Sequence, residues 1–253
     1  MKYTVITGAS SGIGYETTLA FAARGKNLII AARRTEELEQ LKSKVADINA
    51  DLDVVIRTVD LSVTANVYEF YESLQDYQIE TWINNAGFGN FAPVGEQNLN
   101  KIETMLHLNI EALTILSSLY VRDYVDVEGT QIINISSGGG YTIVSDAVTY
   151  CATKFYVSAF TEGLAQELKE KGAAMKAKVL APAATETEFA KRSIDVDHFE
   201  YKGVIPKYHT AKQMAGFLLD LYDSEKVLGI VNGETYDFIL RDPIYPYVTR
   251  IRK

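Results

Sequence analysis

The chain has 253 residues, 47% of them hydrophobic, so a sizeable core can form and wholesale disorder is excluded. Its 25 Lys and Arg stand against 33 Asp and Glu, and a net charge of -8 offers no basic face for nucleic acid. The single cysteine, Cys151, rules out an intramolecular disulfide, and no apolar run is long enough to span a bilayer.

Lys2–Thr7 (KYTVIT) is a short β-rich run stopped by Gly8, the pattern of a buried strand. It starts so early that no signal or transit peptide is expected, and with one cysteine a cytoplasmic location is expected. Over 13–24 the residues turn helical in spacing, and Gly25 supplies the stop. Asn27–Ala32 (NLIIAA) is a second strand and Thr35 opens a second helix. Strands follow over 54–59, ending at Asp60, and 81–84, ending at Asn85-Ala86-Gly87. A long helix is expected over 98–125, then a strand at Gln131–Ile135, a second long helix at Val148–Lys171 and a strand over 176–180. Residues 210–222 read as a final helix with Thr210 as N-cap, and 235–240 as a last strand.

Strands that alternate with helices predict an α/β fold, a Rossmann-type doubly wound parallel sheet of about seven strands with helices on both faces. No linker, charge block or repeat interrupts residues 1–253, so one domain is expected. Residues 188–208 break the rhythm. They are polar, mixed in sign and without a period, and a loop of that length inside a compact domain reads as a lid.

Thr7-Gly8-Ala9-Ser10-Ser11-Gly12-Ile13-Gly14 lies between the first strand and the first helix, where a phosphate-cradling turn belongs. Gly8 permits the bend, Gly12 lets backbone approach a pyrophosphate, and Gly14 lets the helix pack close to the sheet. The free N–H groups of the helix N-terminus then face the anion. An acidic residue at the end of the second strand would bind the ribose hydroxyls of NAD, but Ala32 stands there, followed by Arg33 and Arg34. An arginine can grip the 2′-phosphate of NADP instead, so NADP(H) is expected in preference to NAD(H).

TGASSGIG, with three residues between its first glycines, resembles the cofactor turn of the single-domain short-chain dehydrogenase/reductase family. The resemblance extends over nearly the whole chain. Asn84-Asn85-Ala86-Gly87 resembles the family's NNAG motif, and Asn109, Ser137 and Tyr150-Cys151-Ala152-Thr153-Lys154 resemble its catalytic Asn, Ser and YxxxK. The resemblance implies Asn109, Ser137, Tyr150 and Lys154 as catalytic residues. It implies Gly8, Ser10, Ser11, Gly12, Ile13, Gly14, Arg33, Arg34, Asp60, Leu61, Asn85, Ala86, Gly87, Tyr150 and Lys154 as cofactor contacts. Arg33 is the better placed of the arginines, and Asp60 would meet the adenine if it does not simply cap the next helix. Pro182, Ala184, Thr185 and Thr187 resemble the nicotinamide-contacting segment, with Ala183 where the family carries glycine.

The chemistry follows from residue types. Tyr150 and Lys154 are four apart on a helix and share a face. An ammonium beside a phenol favours phenolate and brings a pKa of about 10 toward the working range. Ser137 can hydrogen-bond the reacting oxygen as charge develops on it. Asn109 would bend or hydrate its helix, and the resemblance gives it a water that passes protons toward Lys154. The implied function is hydride transfer between NADP(H) and a small carbonyl or secondary alcohol, with Tyr150 as general acid/base. An NADP(H)-binding regulator without turnover is one alternative, and a short-chain epimerase or dehydratase another. His107, His198 and His209 are scattered without zinc spacing, and Cys151 reads as a buried structural thiol on the helix side away from Tyr150. Tyr141, Ile143, Phe189 and the 188–208 segment are candidate pocket walls. Homodimers or homotetramers through the two long helices are implied by resemblance.

Overall fold

The computed structural model describes residues 1–249. β1 is Lys2–Thr7, α1 Gly12–Ala23, β2 Asn27–Ala32, α2 Thr35–Ile48, β3 Val54–Thr58, α3 Thr64–Glu72 and β4 Gln78–Asn84. α4 (Leu99–Leu106), a π-helical turn (His107–Ala112) and α5 (Leu113–Tyr124) lead into β5 (Gln131–Ile135). Then come α6 (Val148–Lys171), β6 (Lys176–Ala181), β7 (Thr185–Glu186), α7 (Phe189–Ser193), β8 (His209–Thr210), α8 (Ala211–Asp223), β9 (Leu228–Val231) and β10 (Phe238–Arg241).

Eight strands form one sheet in the order β10-β9-β6-β5-β4-β1-β2-β3, parallel except for β10. Its runs are continuously apolar because both faces are covered. Ile6, Leu28 and Ile30 join the core under α1, α2 and α8, while their neighbours Val5, Ile29 and Ala31 join the core under α3, α5 and α6. Trp82 is fully buried among Phe70, Tyr71 and Tyr120, with ring centroids 5.5–5.9 Å away, and its indole N–H donates to Asn84 at 2.8 Å. The chain reverses its winding between β1 and β4, which opens a crevice at the carboxyl ends of those strands.

The sheet therefore has eight strands where about seven were expected. β9 is only four residues long, too short for a periodic signal, and α3 was missed although Val67, Phe70 and Tyr71 mark its buried face. The last strand starts at Phe238 rather than 235, because the Asn232 carboxamide accepts from the N–H groups of Glu234 and Thr235 and holds a turn there. The helix expected over 98–125 is broken by the π turn around Asn109, the place where a local bend was anticipated. Thr210 caps α8 as expected, in a reciprocal capping box with Gln213. Segment 188–208 is not featureless: it opens with α7, and β7 pairs with β8 so that its two ends are clipped together.

Candidate active site

The glycine-rich turn has the shape its sequence requires. Gly8 and Gly12 have φ of +67° and +58°, a region that favours glycine. A Cβ on Gly14 would come within 2.4 Å of both the Gly8 carbonyl oxygen and Asn85 Nδ2, so α1 seats against the turn only with glycine there. Thr7 Oγ1 accepts from the N–H groups of Asn85 and Ala86, each at 3.0 Å, and Asn85 Nδ2 donates to the Thr7 carbonyl at 2.9 Å. Those bonds lock the ends of β1 and β4 side by side. Ser11, at the head of α1, makes no side-chain cap, which leaves the first N–H groups of the helix to an anion. Glycines that no side chain could replace, above an uncapped helix start, fit a dinucleotide pyrophosphate.

Around this cradle the predicted contacts separate into two kinds. The Arg33 side chain is 59% exposed and touches Asp60 only at 3.9 Å. Arg34 is committed: it donates to the hydroxyl and carbonyl of Ser10 at 3.2 Å and pairs with Glu37 and Glu188 at 3.3 Å. Burial would raise the Asp60 carboxyl, but hydrogen bonds from Ser62 and the charge of Arg33 hold it below its ordinary value. Leu61 is buried beside it. Gly138 N–H donates to the Pro182 carbonyl at 2.7 Å, and His209 N–H to that of Ala184 at 3.0 Å. Thr185 Oγ1 donates to the Ala183 carbonyl at 2.9 Å. Ala183 is not among the described residues with positive φ, so alanine fits where the family carries glycine. Thr187 lies over Gly12, whose Cβ would meet its Cγ2 at 3.0 Å. A cleft of about 760 Å³ runs from Gly12 and Tyr15 past Thr187 to Tyr201 and Tyr208, so segment 188–208 walls the cradle.

Next to the cradle, Tyr150 and Lys154 project from α6 into the crevice, 7% and 6% exposed. Lys154 Nζ donates to the Ile135 carbonyl at 2.9 Å and lies 5.9 Å from the Tyr150 ring centroid. Ser137 lies two residues past β5 and caps the single turn Gly138–Gly140, its Oγ accepting from Gly139 N–H at 3.0 Å. Asn109 donates from Nδ2 to the Phe88 carbonyl (2.9 Å) and Thr153 Oγ1 (3.1 Å), and accepts from Phe88 N–H at Oδ1 (3.1 Å). Gly87 sits between them: a Cβ there would be 3.0 Å from Asn109 Oδ1 and 3.5 Å from Lys154 Nζ.

The electrostatics differ from the expected pairing. Burial pushes the Tyr150 phenol above its ordinary value, opposed by a hydrogen bond with the Ser137 hydroxyl, and Lys154 does not reverse it. Burial also pulls the Lys154 ammonium down to about 8. Desolvation is the largest cause for both groups. Phe88, Gly89 and Phe91 were missed. The signal was the FGNF run just after Gly87, where Gly89 accommodates the Phe189 ring, a Cβ being 2.6 Å from Phe189 Cζ. Cys151 is buried, and its sulfur accepts from Val144 N–H at 3.4 Å.

Residues 2–197 match the family model described as short chain dehydrogenase. The chain belongs to the short-chain dehydrogenase/reductase family. An uncharacterized oxidoreductase of Staphylococcus saprophyticus is 31% identical over 196 residues, covering 78% of this chain and 79% of the relative. Human dehydrogenase/reductase SDR family member 11 is 28% identical over 202 residues, 78% of each chain. Among solved structures, a short-chain dehydrogenase from Sphingobium yanoikuyae in complex with NADPH superposes with a TM-score of 0.84 at 29% identity, covering 93% of this chain and 89% of that one. The family is one of oxidoreductases that use a nicotinamide cofactor and act on small molecules at CH-OH or C=O groups. Among the described residues, no helix is long and apolar enough to cross a membrane.

Proposed function

We propose that this short-chain dehydrogenase/reductase interconverts a carbonyl compound and its secondary alcohol with NADP(H), Tyr150 being the general acid/base. The observation that carries the reading is the chain of contacts from Ser137 to Tyr150 to Lys154, with Gly87 between Lys154 and Asn109. Nicotinamide, when bound, supplies or accepts the hydride. In reduction Tyr150 gives its phenolic proton to the carbonyl oxygen. The Ser137 oxygen already accepts from Gly139 N–H, which leaves its own proton for the same substrate oxygen. The Lys154 ammonium stabilises the phenolate left behind and supplies the proton that restores it. Asn109 grips Phe88 from both sides and holds Gly87 at the approach to Lys154. Oxidation of the alcohol reverses these transfers.

The exposed Arg33, with no carboxylate at the end of β2, supports NADP(H) over NAD(H), and segment 188–208 acts as the lid of a single domain. Association into homodimers or homotetramers through α5 and α6 belongs to the same reading and rests on the family resemblance. Titration should give a Kd for NADPH at least tenfold below that for NADH, the scale of one charged phosphate contact. Tyr150→Phe should abolish turnover of carbonyl compounds while cofactor affinity stays within about twofold. A Tyr150→Phe protein that still consumes NADPH would refute the mechanism, and equal affinities would refute the role of Arg33.

A further inference from the structure

The reacting phenol lies inside an aromatic box. The Tyr150 ring is 5.3 Å from that of Phe189 at 55° and 6.1 Å from that of Phe91 at 60°, and Phe91 and Phe189 meet at 6.2 Å and 72°. These are the separations at which aromatic pairs attract. The three rings come from three segments: α6, the loop after β4 and the start of α7. Their meeting is fixed by backbone and charge together. Phe91 N–H donates to the Ser193 carbonyl at 2.8 Å, and Lys101 Nζ donates to the Arg192 carbonyl at 2.9 Å and pairs with Asp195 at 2.7 Å. Gly89 gives the Phe189 ring its seat.

The charges on this rim are matched to one another. Lys101 is spent on Asp195, and Lys191 and Arg192 both turn to Glu188. A substrate carboxylate or phosphate would find these rim cations already paired, and Lys154 behind Tyr150 donates to the Ile135 carbonyl and is buried. A ketone that brings its oxygen to this phenol, which is 7% exposed, must pack against the Phe189 and Phe91 rings. Its approach is bounded by those two rings and by the Tyr150 ring. An occupant makes good contact with them only through a flat, uncharged apolar surface of ring size.

We infer that the substrate is an uncharged ketone or aldehyde carrying a ring-sized apolar group, and that Phe189 and Phe91 select it. This rests on the carbonyl-reductase reading above and adds the substrate class. Acetophenone, acetone and 4-acetylbenzoate share the reacting methyl ketone and differ only in the ring and its charge. With saturating NADPH, kcat/KM for acetophenone should exceed that for either of the others by more than tenfold, the scale of a well-filled apolar pocket. Phe189→Ala and Phe91→Ala should each cut the preference for acetophenone over acetone at least fivefold, read as the ratio of the two kcat/KM values. Turnover of all three at similar efficiency, or preference for the carboxylate, would overturn the inference. So would alanine variants that keep the wild-type preference, since two separate residues guard against one local distortion. Calorimetric binding of acetophenone to the NADPH-loaded protein separates the two readings. Binding weakened by Phe189→Ala, with no turnover of any ketone, would sink the reaction and leave the pocket standing. No binding at all would sink the pocket.

Discussion

Lys154 illustrates how one residue ties rate to stability with opposite signs. Burial lowers its ammonium from an ordinary 10.5 to about 8, so its charge is lost as pH rises through about 8. In the proposed mechanism the phenolate left on Tyr150 then loses its counter-charge, so kcat for ketone reduction should fall above that pH. The stability consequence runs the other way. The folded value lies below the unfolded one, so between about 8 and 10 the unfolded chain binds more protons, and the penalty for burying this charge shrinks as pH rises. Lys178, also pulled to about 8 by burial, adds to the same slope although three carbonyls of the α8 C-terminus accept from it. Above 10 the trend reverses, because burial raises the phenols of Tyr150, Tyr71 and Tyr120 and the folded state resists their ionisation. A pH series of urea denaturation on Lys154→Met against the wild type would check this. The variant should lose part of the rise between 8 and 10, and an unchanged rise would assign all of it to Lys178.

The elements that carry the site are joined by a network that no motif announces. Glu162 lies on α6 three turns beyond Tyr150 and is 1% exposed. One carboxylate oxygen accepts from the Tyr141 hydroxyl at 2.6 Å, and the other from the N–H groups of Ile244 and Tyr245 at 2.7 and 2.9 Å. Tyr245 stacks on Tyr141 at 5.5 Å and donates from its hydroxyl to the Gly140 carbonyl at 2.7 Å. The segment after β10 is thereby bolted to the turn that carries Ser137, and Tyr141 faces that bolt. Tyr141, a candidate pocket wall, has its hydroxyl and one ring contact engaged there. Glu162→Leu removes every acceptor at once and should cost about 3 kcal/mol, since two N–H groups and a hydroxyl lose their acceptor. Glu162→Gln keeps an acceptor and should cost less. Urea midpoints would order them; equal midpoints would show that the three donors find other partners. In sequence a glutamate on a helix reads as a solvated face, and only burial distinguishes this one.

At the scale of the whole molecule, what could be read in advance followed how local its cause was. Gly8, Gly12 and Gly14 advertise a turn whose geometry is set within eight residues, and Tyr150 and Lys154 share a face by helical spacing alone. Phe91 beside Phe189, or Glu162 beneath Tyr245, depends on segments about 80 to 100 residues apart meeting, which periodicity does not report. The eighth strand escaped the sequence for the same reason, because β9 is a strand only where β6 and β10 flank it. The Arg34–Glu188 pair is a third such contact and spans the crevice from the glycine turn to the start of α7. Glu188 also gathers Arg192 and Lys191, so three cations converge on one carboxylate at the edge of the cofactor cradle. A dinucleotide phosphate entering here competes with that carboxylate for Arg34 and meets its negative charge. Glu188→Gln removes the competitor, keeps the volume and frees Arg34. Exposed pairs of this kind are worth about 0.5 kcal/mol each, so NADPH should bind roughly two- to fivefold tighter to the variant. The gain should be larger for NADPH than for NADH and should shrink as salt is raised. Fluorescence titration at low and high ionic strength reads all three quantities. Weaker binding would mean instead that Glu188 holds segment 188–208 over the cofactor, and that the bridge from Arg34 closes the site rather than guarding it.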